Sequence, residues 1–289
     1  MTRTDSAGVA HATALPAISV VIPSLNQALF LARALDSLAA QGYPALEVIV
    51  VDGGSTDGTP DLLKARRDVV TRWVSEPDRG QTHALNKGFQ MATGCVFGWL
   101  NCDERYRPGA LRLVADAFAR EPGLEVAFGH RVVVDEEGRE TGRMRLPNVH
   151  PRRYMLYASG LLFSDTTFWT AELHRRTGQL DEANCPRYGM DFDWFGRLSL
   201  KARRWRRLDA YLSEFTEHEG RVSRNVPEMP DIAHGIRRRL HRLAGVGPLR
   251  VMLMGGLCFV PVRHGKSGWR GLLRPPSPAT LLRVAGLTR

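Results

Sequence analysis

The sequence predicts an α/β fold: a doubly wound, mostly parallel central sheet, then a smaller second half and a basic C-terminal extension. Three observations predict it. Short β-branched apolar runs, ISVVIP at 18–23 and LEVIVV at 46–51, alternate with helical patterns, the mark of parallel strands covered on both faces. Each run ends in small, polar or acidic residues, where a doubly wound sheet places its ligand crevice. Finally, 289 residues, 43% of them hydrophobic, suffice to bury such a core.

The elements follow in order. The first strand, 18–23, closes at Pro23. Asn26 precedes a helix with Leu31, Leu35 and Leu38 on one face. The second strand, 46–51, runs into DGGSTDG at 52–58, a loop of turn formers. A short helix at 61–67, a strand at 69–75, a helix at 81–93 and a fourth strand at 95–100 (CVFGWL) complete the first half. Beyond it, 108–119 reads as a helix, and 126–134 and 139–145 as strands joined at Glu136, Glu137 and Gly138. The stretch 166–195 mixes aromatics, glycine and acids; a helix at 192–200, a strand at 203–212 and a basic helix at 229–243 come after it. Residues 249–262 are apolar between Arg250 and Arg263, and Pro275, Pro276 and Pro278 mark a loop. This divides the chain into a flexible N-terminus (1–16), two halves of one domain (17–107 and 108–225) and an extension (226–289), with no internal repeat.

Net charge is +10, with a pI near 10.0, which by itself points to nucleic acid or an anionic membrane. Its distribution changes that reading. Residues 1–220 carry 27 basic and 28 acidic side chains, whereas 221–289 carry 13 and 2. The crevice therefore belongs to an electroneutral body, and no helix-turn-helix, zinc-finger or RNA-recognition signature is present, so a nucleic-acid-binding protein is the weaker alternative. Cys95, Cys102, Cys185 and Cys258 form no CxxC pair and read as free thiols of a reducing compartment. The sequence shows no apolar signal segment and no run of about 18 apolar residues, so a cytoplasmic location is expected.

Four strand ends then supply candidate chemistry: Pro23, Ser24 and Asn26; Asp52, Gly53, Ser55 and Asp57; Asp78, Arg79 and Gly80; Asn101, Asp103 and Glu104. Asp, Gly and Ser are also ordinary turn residues, so the repetition carries more weight than any single loop. At the fourth end, oxygen ligands suit Mg²⁺ or Mn²⁺ with a diphosphate completing the shell; a solvated turn before Pro108 is the other reading. Asp191 and Asp193 read as helix caps on residue type alone.

The segments VVIPSLNQ (20–27), EVIVVDGGSTDGT (47–59), SEPDRGQTHALNKGFQMATG (75–94) and WLNCDE (99–104) together resemble family-2 glycosyltransferases of the GT-A fold, bacterial polysaccharide type. The resemblance continues more weakly through LLFSDTTFW (161–169), TGQLDEA (177–183), YGMDFDWFGRLS (188–199) and EFTEHEGRVS (214–223) and covers about two-thirds of the chain. It implies inverting transfer of a sugar from a nucleoside-diphosphate sugar to a hydroxyl on a saccharide or lipid-linked acceptor, with 17–107 holding the donor and 108–225 the acceptor. Pro23, Ser24 and Asn26 would line the nucleoside, Asp52 would accept from the base with Gly53 and Ser55 shaping its loop, and Asp78 and Arg79 would flank base or ribose. Asp103 would hold the divalent cation. Asn101, where the family often has Asp, would contact ribose or a metal-bound water. Asp191 would be the base, leaving Asp193 structural, although Met190 departs from the family's usual Glu. His218 would ligate the cation or contact the diphosphate, or lie in an exposed loop; Lys87, Arg131 and Trp169 carry weaker signals. A nucleotidyltransferase is the enzymatic alternative, but VIPSLNQ lacks the Gly-rich basic loop a triphosphate needs. The extension reads either as a peripheral anchor on the anionic inner face of a membrane or as a segment packed on the domain.

Overall fold

The structure, a computed structural model, describes residues 15–146, 148, 150–157, 162–185, 188–219, 226–247, 259–263 and 269–273. The expected flexible N-terminus, most of the 249–262 run and the proline-rich tail lie outside the described residues.

Strands β1 (Ile18–Ser24), β2 (Leu46–Asp52), β3 (Arg72–Ser75) and β4 (Val96–Trp99) form the parallel centre, in the order β3–β2–β1–β4. Helices α1 (Ala28–Ala39), α2 (Thr59–Ala65) and α3 (Gln81–Met91) make the crossovers. Strict alternation along β1 sends Ile18, Val20 and Ile22 into one core with Leu31, Leu35 and Leu63, and Val21 into the other with Leu85 and Phe89. Both faces are thus buried, as the unbroken apolar runs require. β1 continues one residue past Pro23. The odd-numbered residues of β1 turn their backbone toward β4, which pairs only as far as Val21, so the missing N–H of Pro23 forfeits no ladder bond.

The second half is more antiparallel. β6 (Val126–Val134) pairs with β7 (Glu140–Met144) and with β8 (Thr167–Thr170), and β8 joins β4. The long β9 (Trp205–Thr216) runs parallel to β6 and antiparallel to β5 (Glu104–Tyr106). The remaining helices are α4 (Ala110–Arg120), α5 (Pro151–Tyr157), α6 (Ala171–Thr177), α7 (Met190–Lys201) and α8 (Met229–Leu243). Strands β10 (Phe259–Arg263) and β11 (Trp269–Leu273) extend the sheet beyond β7.

The first part of the expected extension, α8, packs on the body. Ile236 and Leu240 of α8 are buried in the same core as Trp194 and Leu198 of α7, and His241 Nε2 lies 2.7 Å from the Leu156 carbonyl oxygen. The arginines of α8 do not form one basic face: Arg239 pairs inward with Asp181 and Asp193, Arg237 lies over the Phe192 ring at 5.4 Å, and Arg238 and Arg242 are exposed. Among the described residues no helix is long and apolar enough to cross a membrane.

Candidate active site

The loops after β1, β2 and β3 are tied to one another. Asn26, at φ 51°, accepts from the Thr56 N–H at 2.9 Å while its own N–H donates to Ser55 Oγ at 2.7 Å. Asp57 reaches across to the Ala28 N–H at 2.8 Å, at the start of α1, and accepts from Thr59. Burial works against the charge on Asp57, but these hydrogen bonds outweigh it and hold the pKa below the ordinary carboxylate range. Gly53 has no room for a side chain: a β-carbon there would lie 2.8 Å from Asp78 Oδ2. Asp78 also accepts from the Gly80 N–H at 2.7 Å, so the β2 and β3 loops meet at this carboxylate.

Three of the residues expected at the donor site have protein partners here. Asp52 does not present an open acceptor; it is fully buried and takes hydrogen bonds from Ser55 N–H (3.0 Å), Ser55 Oγ and Ser75 Oγ (2.7 Å). Its role is to order the Gly53–Ser55 turn. Arg79 is exposed and pairs with Glu182 at 2.8 Å. The Asn101 carboxamide is held by the protein: Oδ1 accepts from Gln81 and from the Trp99 indole, both at 2.9 Å, and Nδ2 donates to Ser164 Oγ at 3.3 Å.

The turn after β4 then points Asp103 at a histidine from the far end of the chain. His218 Nε2 lies 3.1 Å from Asp103 Oδ2, and its ring packs on Phe30 with centroids 4.7 Å apart. His218 is therefore buried rather than an exposed loop residue. Among the described residues no group of three or more His, Cys, Asp or Glu side chains gathers to hold a metal. One carboxylate oxygen with one imidazole nitrogen nevertheless fits a divalent cation whose remaining ligands come from a diphosphate and water. Beside Asp103, burial with Asp165 and Asp103 as neighbours drives the Glu104 pKa well above the ordinary range. Burial likewise pushes the Cys102 thiol to about 12; it donates to the Pro23 carbonyl at 3.1 Å.

Asp191 lies in the first turn of α7, and neither it nor Asp193 is the N-cap. That position is Gly189, at φ 73°, with no side-chain cap. Asp193 is fully buried between Arg197 (2.8 Å) and Arg239 (3.2 Å), which makes it the structural acid. Asp191 is exposed to solvent, yet desolvation by surrounding protein raises its pKa against the opposing charge of Arg131.

Arg131 is enclosed by aromatic rings. Its guanidinium lies between Phe163 (3.7 Å) and Phe215 (3.9 Å), and Nη1 is 3.4 Å from the fully buried Asp165, which Ser213 also bonds at 2.6 Å. Its charge works to lower the proton affinity of both Glu104 and Asp191. Sequence reasoning gave Arg131 little weight and passed over Asp165, Ser164 and Phe30, none of which stands in a strand-end loop. Trp169 is fully buried, and Lys87 pairs with Glu76 at 2.5 Å.

The model of "Glycosyl transferase family 2" matches residues 19–177, more than half of the chain. A PGL/p-HBAD biosynthesis glycosyltransferase of Mycobacterium bovis (strain BCG / Pasteur 1173P2) is 33% identical over 123 residues, 40% of this chain and 47% of that protein. The chain spans less than half the length of the curated relatives it matches first. Among solved structures, S. aureus TarS 1-349 in complex with UDP-GlcNAc aligns at TM-score 0.64 and 20% identity, covering 83% of this chain and 70% of that one. The mannosyltransferase PcManGT from Pyrobaculum calidifontis, in complex with GDP-Man and Mn²⁺, aligns at 0.59 and 20%, covering 84% and 73%.

Proposed function

The chain belongs to glycosyl transferase family 2 and has the GT-A fold, and from that premise we propose that it transfers a sugar from a nucleoside-diphosphate sugar to a hydroxyl acceptor, with inversion. Two observations support the reading: Asp103, just after β4, lies 3.1 Å from His218, and Asp191 stands exposed in the first turn of α7 beside the buried, ion-paired Asp193. In this reading the donor nucleoside lies along Pro23, Ser24 and Asn26, with Asp78 and the Gly53 turn beside its base and Arg79 and Asn101 at the rim. Asp191 takes the proton from the acceptor hydroxyl as that oxygen attacks the anomeric carbon. Asp103 and His218 would hold a Mg²⁺ or Mn²⁺ ion, which when bound supplies positive charge against the leaving diphosphate. Arg131 adds a fixed cation nearby, and the closed aromatic packing around it preserves its field.

The acceptor is a saccharide or a lipid-linked saccharide of a surface polysaccharide or glycolipid. Arg238, Arg242 and Leu243 are exposed together on the outer face of α8, which supports peripheral contact with an anionic membrane from the cytoplasmic side. Liposome flotation tests that part: equal flotation with neutral and anionic vesicles removes it.

A thermal-shift series with nucleoside diphosphates and sugar nucleotides, with and without Mn²⁺, tests the donor assignment. One base should give a selective rise that Mn²⁺ enlarges. A flat response to every nucleotide would contradict the reading.

A further inference from the structure

α7, the helix that carries Asp191, and α8 both lie outside the segment the family model matches, and they pack directly on each other. A β-carbon on Gly189 would come 2.7 Å from Ile236 and 3.0 Å from Ile232, and one on Gly196 would come 2.4 Å from Leu240. Gly189 and Gly196 are two turns apart on one face of α7, while Ile232, Ile236 and Leu240 recur every fourth residue along α8. The two helices therefore meet backbone to side chain, with no slack for sliding.

Charge fixes the register of this contact. Arg239 pairs with Asp181 at 2.5 Å and with Asp193 at 3.2 Å. Asp193, two residues from Asp191, has its other cation on its own helix, Arg197, which also donates to the Thr177 and Gln179 carbonyls. Asp181 precedes Glu182, which takes Arg79 of the β3 loop at 2.8 Å and Asn86 of α3 at 3.0 Å. A continuous path thus runs from the loop after β3, through 181–182 and Arg239, to the first turn of α7. That turn has no side-chain cap of its own, so its placement depends on its neighbours.

We propose that Arg239 is a positioning residue for Asp191: by pairing Asp181 and Asp193 at once, it sets the first turn of α7 against the donor-side loop. The inference rests on the reading of Asp191 as the base. A misplacement of about 1 Å at a reacting group costs up to about a hundredfold in rate, so the effect is measurable even in a folded variant.

The test uses the full chain with Mn²⁺ and the sugar nucleotide selected by the thermal-shift series, with water as acceptor. Arg239→Met should lower kcat about ten- to hundredfold well below its melting temperature while donor KM stays within about twofold. Arg239→Lys, which reaches one carboxylate at a time, should recover part of the loss. Asp181→Asn, which leaves Asp193 and Arg197 intact, should lower kcat about three- to tenfold. Without any substrate, hydrogen exchange over residues 188–195 should quicken in Arg239→Met while β1 to β4 stay protected. Unchanged kcat and exchange in a folded Arg239→Met, or a loss that follows only its unfolded fraction, overturns the proposal. If Arg239→Met does not fold, Asp181→Asn with wild-type kcat and exchange overturns it. Asp191→Asn, run alongside, separates the two claims: wild-type turnover in that variant sinks the base assignment instead.

Discussion

At the scale of single residues, Asp191 carries two linked predictions. A base must be ionised to accept a proton, and desolvation raises the pKa of this carboxyl. Turnover should therefore fall on the acid side at a pH above that of an ordinary aspartate, about 3.9. For stability the sign is opposite to that of a salt-bridged acid. The folded state disfavours the ionised form, so the cost is present above the folded pKa and is relieved as pH falls through it. Asp191→Asn should remove turnover while melting at or above the wild-type temperature at pH 7; a drop of several degrees would show that the carboxylate supports the fold instead. Gly53 gives a third expectation. A methyl group there meets the Asp78 carboxylate at 2.8 Å, so Gly53→Ala should raise the Kd for the nucleotide while changing kcat little, as titration calorimetry and steady-state rates would separate. Asp103, Asp191 and Gly53 stand out in the sequence because each follows a strand or begins a helix. Arg131 and Asp165 were hidden: a charged residue inside a strand ordinarily marks its solvent face, and only the pairing of β6 with β9 brings Phe215 and Ser213 round Arg131, with Phe163 and Asp165 arriving from the turn before β8. The partners of Asn101 were hidden for a related reason, since Gln81 and Ser164 come from distant elements.

At the scale of elements, the parallel centre was readable because its strands are apolar on both faces and its helices are amphipathic, two patterns that survive without tertiary information. β6 and α8 fall where the pattern puts them, at 126–134 and 229–243. The short strands β5 and β8 were not readable. Three or four residues give no period, and both form only because β9 and the β4–β6 gap offer unpaired ladder groups. What α8 packs against was also hidden, because the small residues that receive it lie on another helix. Gly196 is the clearest of these. Alanine there gains about 1 kcal/mol of helix propensity, but its methyl group enters the volume of the fully buried Leu240, and overpacking costs about 1–3 kcal/mol. Gly196→Ala should therefore lower urea stability by up to about 2 kcal/mol, and the same substitution in a Leu240→Ala background should cost less. Equal losses in both backgrounds would mean that the two residues do not share the contact.

At the scale of the whole molecule, the question is what the charge asymmetry divides. Residues 221–289 hold all the excess positive charge, which by composition alone marks them as a separate tail. The packing says otherwise for their first part. Arg239 satisfies two carboxylates of the catalytic half, and Ile236 and Leu240 are buried against α7. Removing α8 would expose that apolar face and leave the buried Asp193 with Arg197 alone, and losing one partner of a buried ion pair costs about 3–5 kcal/mol. Against a typical domain stability of about 5–15 kcal/mol, those losses together are large. A chain ending at residue 225 should therefore bind hydrophobic dye at low temperature, melt broadly and give no nucleotide-dependent thermal shift. A chain ending at residue 247, which keeps α8 and drops the later basic residues, should melt cooperatively and retain the shift. The comparison distinguishes two meanings of the same positive charge. If the shorter chain melts and responds like the longer one, the extension is an appendage and its arginines serve only the surface; if it collapses, part of that charge belongs to the core that holds Asp191 in place.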